Sequence, residues 1–172
     1  NSAKQQYLQQ VLQSKEAFGH SDFGQGKKIQ VEFVSANPTG PLHVGHGRGA
    51  AIGASLSSIL AAAGFNVSRE FYVNDAGRQM DILTLSTWLR YLELNNIRVP
   101  FPENAYQGDY VKTMAQLIQQ AHAQRYVHQP VLLLEDLPKN VHETGINTDE
   151  QLDQLIANAK KISAEQKNIE AS

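Results

Sequence analysis

The 172-residue sequence contains no cysteine, which excludes disulfide frameworks, thiolate metal sites and cysteine nucleophiles and fits a reducing, cytoplasmic setting. Aromatic residues are few, at 8% with one tryptophan, yet 41% of the chain is apolar, enough to build a core without covalent staples. No stretch approaches the ~18 uninterrupted apolar residues of a membrane span, and no basic-then-apolar signal segment opens the chain, so no membrane partner is expected. Positive charge is not in excess either. Fifteen Lys/Arg against seventeen Asp/Glu leave a formal net charge of −2, so this chain alone is not marked as a tight nucleic-acid binder. The length fits one domain, or one compact domain with an appendage. A first residue Asn1 and a charged helical pattern running up to Ser172 suggest a piece of a larger protein.

The charge is unevenly spread. Residues 1 to 100 hold nine Lys/Arg and seven Asp/Glu, whereas residues 101 to 172 hold six and ten. Tyr7, Leu8, Val11 and Leu12 share a face in a short helix over residues 3 to 18, followed by a Gly-rich polar loop to Lys28. Ile29 to Ser35 is dense in β-branched and aromatic residues and predicts a strand buried on both faces, with Glu32 and Val34 on one side and Val31 and Phe33 on the other. Two prolines and a glycine make Asn37 to Pro41 irregular. Ile52, Leu56, Ile59 and Leu60 then recur at helical spacing from about Val44 to Ala63, with Gly64 as the stop, and Val67 to Val73 alternates as a second strand. Strand, helix, strand in so short a span predicts a right-handed parallel crossover and an α/β, doubly wound fold.

Asp75 is placed to cap a helix running from Ala76 to about Leu94, with Ile82, Leu85, Trp88, Leu89 and Leu92 as its stripe. Beyond Pro100 and Pro102 a further helix is expected from Asp109 to about Gln124. Val131 to Leu134 fits a strand or a buried helical turn equally well. Thr148 and Gln151 stand in capping-box spacing before a last helix with Leu152, Leu155, Ile156, Ala159 and Ile162.

In an open α/β sheet ligands bind at the carboxyl ends of the strands, and here the first strand runs into a Pro/Gly loop and then His43-Val44-Gly45-His46 at a helix start. Unpaired N–H groups and the positive end of the helix dipole favour a phosphate there, Gly45 lets a ligand approach the backbone, and two imidazoles three residues apart can serve as donors to it. A zinc reading is weak because the i, i+4 histidines and glutamate of a metalloprotease helix are missing, so no metal ligands are assigned. Glu32 within an apolar strand is costly to bury without a partner, which favours a functional role. Ser35 and Asn37, on their own, read as residues that stabilise their own turn. Arg48 is solvated or near phosphate, Gly47 and Gly49 suit close helix packing, and Asn74 or Asp75 suits a helix cap. His20, His122, His128 and His142 lack a partner pattern and are expected at the surface.

The stretch from Val31 to His46, with Asn37-Pro38-Thr39-Gly40-Pro41-Leu42-His43-Val44-Gly45-His46 at its heart, resembles the signature region of class I aminoacyl-tRNA synthetases, specifically the arginyl-tRNA synthetase family. Tyr72-Val73-Asn74-Asp75-Ala76-Gly77-Arg78-Gln79 and Tyr106-Gln107-Gly108-Asp109-Tyr110 are similar to two later blocks of that family, in the same order. The resemblance implies ATP-dependent activation of L-arginine and its transfer to tRNA(Arg) through the full-length enzyme, with Mg2+ accompanying ATP. It implies ATP binding by His43, Gly45 and His46, catalysis by the two histidines, and an arginine pocket from Glu32, Ser35, Asn37 and His43. It further implies a monomer in the cytoplasm.

The family's Lys-rich ATP loop has no counterpart after residue 125, where Lys160-Lys161-Ile162-Ser163 falls in a helical pattern. On this reading residues 1–28 are a lead-in helix and loop, 29–96 the first half of a Rossmann-like catalytic domain, and 97–172 a mainly helical part of the connective insertion. The fragment alone is then expected to be inactive. A small-molecule nucleotidyltransferase with an HxGH turn and a non-catalytic nucleotide-binding module are the competing readings.

Overall fold

The computed structural model describes residues 2–128, 130–139 and 141–171. Contacts divide the chain into two compact units, Asn1–Asn37 with Leu42–Asn74, and Pro38–Pro41 with Asp75–Ser172. The first unit holds helix α1 (Ser2–Ser14), a 3-10 turn (Lys15–Ala17), strand β1 (Lys28–Glu32), helix α2 (Val44–Ala62) and strand β2 (Asn66–Glu70). β1 and β2 pair in parallel, with Lys28 opposite Asn66 and Glu32 opposite Glu70, and α2 makes the crossover between them. That is the expected strand–helix–strand.

Two expectations for this unit change. The strand is not buried on both faces: Ile29 and Val31 are half-buried while Lys28, Gln30 and Glu32 are exposed, because a two-stranded sheet with one helix has one covered face. β1 also ends earlier, since Val34 lies at φ 60°, a region that a β-branched residue rarely enters, and the Ala36 N–H folds back to the Val34 carbonyl at 2.7 Å. The large stripe of α2 does not form a core either. Ile52, Leu56 and Ile59 are exposed, and the helix meets the sheet through its small residues, with Gly53 and Ser57 buried. A Cβ at Gly53 would overlap the Phe33 ring, so the close approach of helix and strand rests on that glycine. Gly47 and Gly49, expected to serve such packing, face open space among the described residues.

The polar loop before β1 caps the far end of α2. Ser21, Gly24 and Gly26 donate their N–H groups to the carbonyls of Ala62, Ala63 and Gly64 at 2.7–2.9 Å, satisfying the last turn of the helix, and Gly64 at φ 88° turns the chain into β2. Of the other described helices and strands α1 meets only the 3-10 turn after it, and Tyr7, Leu8 and Leu12 remain exposed.

The second unit is helical: α3 (Arg78–Leu94), α4 (Asp109–His122), α5 (Pro130–Leu133), α6 (Val141–Thr144) and α7 (Asp149–Ala171). It contains the core, in which Leu85, Leu89 and Leu92 of α3, Ala115 of α4, Leu133 and Val141 of the short helices, and Leu152 and Leu155 of α7 form one cluster. Residues 131–134, undecided in sequence, include the end of a short helix, and α6 was not anticipated. The capping box of α7 forms as expected, with the Gln151 N–H donating to Thr148 Oγ1 at 3.2 Å and the Thr148 N–H to Gln151 Oε1 at 3.3 Å. α3, by contrast, starts behind Gly77 at φ 86°, with no side-chain cap from Asp75. Its first residue, Arg78, instead bridges Asp149 and Asp153 of α7 at 3.2 and 2.9 Å, and these two carboxylates raise its guanidinium pKa. No described helix is long and apolar enough to cross a membrane.

Candidate functional site

His43 is the N-cap of α2, extended at φ −121° and ψ 174°, and its imidazole folds over the first helical turn. Nδ1 of His43 accepts from the Gly45 N–H at 3.1 Å, and Nδ1 of His46 accepts from the His43 N–H at 3.1 Å. The two rings stack with centroids 3.9 Å apart and 25° between planes. This is a capping box in which histidines replace the usual hydroxyl and carboxamide, and it satisfies two of the orphan N–H groups of the helix start. The tautomer follows. With each Nδ1 accepting a backbone N–H, the neutral ring carries its proton on Nε2, so both histidines present an Nε2–H donor that has no hydrogen-bond partner among the described residues.

Gly45 also has a local structural role. A Cβ on it would lie 2.9 Å from Cε1 and 3.0 Å from Nδ1 of His43, so the glycine makes room for the capping imidazole. Of the first N–H groups, that of Gly45 is taken by His43, while the positive end of the α2 dipole still lies under the two donors.

The residues expected to meet an amino acid sit at the carboxyl ends of the strands. Glu32 ends β1 in register with Glu70 at the end of β2, and both are exposed. The exposed position of Glu32 removes the burial cost expected from its apolar strand. In its place two acidic residues share one register position at the paired strand ends. Glu70 escaped the sequence reading because only the register of β2 against β1 identifies it. Ser35 Oγ accepts the Tyr72 N–H at 3.0 Å and Asn37 Oδ1 accepts Asn74 Nδ2 at 2.7 Å, so these two side chains tie the segment after β1 to the segment after β2.

The remaining expectations divide. Arg48 is exposed, and Asp75 is exposed without capping α3. His20 and His122 are exposed, His128 is half-buried against Trp88 at 5.7 Å instead of lying at the surface, and the His142 side chain is outside the described residues. Tyr110 donates its hydroxyl to the Thr39 carbonyl at 2.7 Å. Among the described residues no three histidines or carboxylates converge on a possible metal position.

A sequence profile of the family described as tRNA synthetases class I (R), catalytic domain, matches residues 7–166. An arginine–tRNA ligase of Nitrosospira multiformis is 66% identical over 161 residues, which is 94% of this chain and 27% of that protein. One from Legionella pneumophila is 47% identical over 162 residues, 94% of this chain and 28% of that protein. A crystal structure from Campylobacter jejuni described as an arginyl tRNA synthetase aligns with TM-score 0.56 and 31% identity over 71% of this chain and 27% of that one. The chain thus spans about a quarter of the length of the relatives it matches. With the profile covering nearly all of its length and the parallel strand–helix–strand behind the histidine pair in place, the chain belongs to the arginine-type class I tRNA synthetase catalytic-domain family.

Proposed function

We propose that this chain carries the paired-histidine half of an adenylation site, within a complete protein that activates L-arginine with ATP and transfers it to tRNA(Arg), acting as a monomer in the cytoplasm. The reciprocal cap of His43 and His46 supports this reading most strongly, since it holds two Nε2–H donors above a helix N-terminus. In adenylation the arginine carboxylate attacks the α-phosphorus of ATP and pyrophosphate leaves, so negative charge grows on the phosphate oxygens. Preorganised donors aimed at that charge stabilise the transition state without any covalent step from the protein.

Glu32 is assigned to the guanidinium of arginine, which stays charged at all accessible pH and prefers a carboxylate partner. Glu70 opposite it is the second acidic group in reach of such a cation. Ser35 and Asn37 line the same strand ends and are assigned to the amino acid backbone, a role compatible with their bracing of residues 72 and 74. Mg2+ enters with the nucleotide, and no ligand for it is assigned to this chain.

The experiment is ATP–pyrophosphate exchange by the complete protein, with tRNA present, against each of the twenty amino acids. Arginine alone should support exchange. The 172-residue chain alone should hold ATP only weakly, near millimolar or about −4 kcal/mol, and show no exchange. Exchange by the 172 residues at the rate of the complete protein, or exchange independent of arginine, would move the reading to a self-contained nucleotidyltransferase.

A further inference from the structure

The backbone pairing of β1 and β2 stops before the residues assigned to the amino acid are reached. Its last bond runs from the Phe33 N–H to the Glu70 carbonyl at 3.3 Å, and Val34 at φ 60° then turns the chain, so that the Ala36 N–H meets the Val34 carbonyl instead of the neighbouring segment. Beyond that turn side chains continue the pairing. Ser35 Oγ accepts the Tyr72 N–H at 3.0 Å, and two residues further along both segments Asn37 Oδ1 accepts from Asn74 Nδ2 at 2.7 Å.

The second of these ties joins two side chains, and that gives it a consequence the first lacks. The χ2 torsion of an asparagine is broad and roughly two-fold, so an exposed carboxamide such as that of Asn37 can turn either its oxygen or its nitrogen to a ligand. Asn74 removes the choice: by donating to Oδ1 it fixes the plane of the Asn37 amide and the direction of its Nδ2 hydrogens. Asn74 is the half-buried partner of the pair, which suits it to the anchoring role. Its carboxamide does not serve the helix start that sequence suggested for it, because α3 begins behind Gly77 with no side-chain cap. Both asparagines belong to the first unit.

We propose that Asn74 is a positioning residue of the amino acid site, which orients the Asn37 carboxamide for the bound amino acid and does not touch the substrate itself. The proposal rests on the assignment of Asn37 to the arginine backbone. An amide already held in its binding orientation does not have to be immobilised when arginine arrives, so the tie acts on arginine affinity and leaves the nucleotide side alone.

The experiment is a double-mutant cycle in the complete protein, read by arginine-dependent ATP–pyrophosphate exchange with tRNA present and by the melting temperature of each variant. Asn74→Ala should raise the arginine KM about fivefold, with the ATP KM and the melting temperature unchanged. Asn74→Gln keeps the amide donor on a longer arm and should recover part of that loss. Asn37→Ala should raise the arginine KM about tenfold, and in that background Asn74→Ala should add nothing, because the group it orients is gone. Additive effects would show that Asn74 meets arginine itself and would overturn the proposal. So would an unchanged arginine KM in Asn74→Ala, or a rise in both KM values with a lowered melting temperature, either of which would reduce the tie to a structural brace. In these cases an Asn37→Ala protein with a raised arginine KM leaves the Asn37 assignment standing. An unchanged arginine KM in Asn37→Ala would overturn that assignment and the proposal together.

Discussion

Glu32 shows how one residue's meaning depends on what stands opposite it. In sequence it is a carboxylate in an apolar strand; in the fold it is exposed and paired with Glu70 across parallel strand ends. Two acids at one register position offer a cation two carboxylate partners, and a guanidinium is such a cation. Glu32→Gln in the complete protein should therefore raise the arginine KM about tenfold, equivalent to about 1.5 kcal/mol for a lost charge-assisted contact, and leave the ATP KM unchanged. Steady-state kinetics in both substrates check it; a shift in the ATP KM alone would place Glu32 on the nucleotide side. The histidines were legible because HxGH sits between a patterned strand and a patterned helix, but their tautomers were not, since these depend on which backbone N–H each ring meets. Asn158 was missed altogether. It lies buried in the apolar stripe of α7, donates to the Leu133 and Glu135 carbonyls at 3.0 and 2.7 Å and so pins the end of α5, and its spacing in sequence resembles that of any solvated helix residue.

Helix starts were read best where a local chemical rule decides them and worst where tertiary contacts do. The α7 capping box involves residues three apart, so sequence alone predicts it. α3 begins two residues later than expected because Gly77 at φ 86° turns the chain and Arg78 is held by two aspartates some 70 residues on, a contact that no local pattern reveals. α4 illustrates a long-range contact of its own. Tyr110 in its first turn donates to the Thr39 carbonyl at 2.7 Å, and burial pushes its phenol above the ordinary pKa, with Tyr106 adding to the effect. A raised acid pKa means that the folded state favours the neutral phenol. The stabilisation is complete below the unfolded value of about 10 and is lost as pH rises through the folded one. Tyr110→Phe should cost about 1 kcal/mol at neutral pH, and the difference from the parent chain should shrink above about pH 10. Urea unfolding followed by Trp88 fluorescence measures both; a pH-independent difference would show that the hydroxyl is not held as described.

At the scale of the whole molecule, the apolar residues are not where the strand–helix–strand pattern suggests. Every buried large hydrophobic residue of the described chain belongs to the helical unit, whereas Ile52, Leu56, Ile59, Phe71, Tyr72 and Val73 of the first unit are exposed. The pattern gives the type and order of the strands and helices of this unit, because period and propensity are local, although both strands stop short of their expected ends, at Glu32 and Glu70. It could not predict burial, because burial requires a second layer, and a two-stranded sheet with one helix supplies one. Local stability should follow: in hydrogen exchange on the 172-residue chain, central amides of α3 and α7 should be the slowest, those of β1 and β2 faster, and those of α1 fastest, since an unpacked helix of 13 residues is marginal in water. Slower exchange in β1 and β2 than in α3 would contradict this ordering.

On the proposed function, His43 and His46 hold each other as an N-terminal cap so that their Nε2–H groups serve phosphate. His43→Asn tests it directly, because asparagine is a good N-cap whose Oδ1 can accept the Gly45 N–H, yet it has no donor where Nε2 stood. In the complete protein the melting temperature and ATP KM should be unchanged and kcat for arginine-dependent pyrophosphate exchange lowered about a hundredfold. A His43→Asn protein that keeps its full kcat would show that the pair only caps the helix.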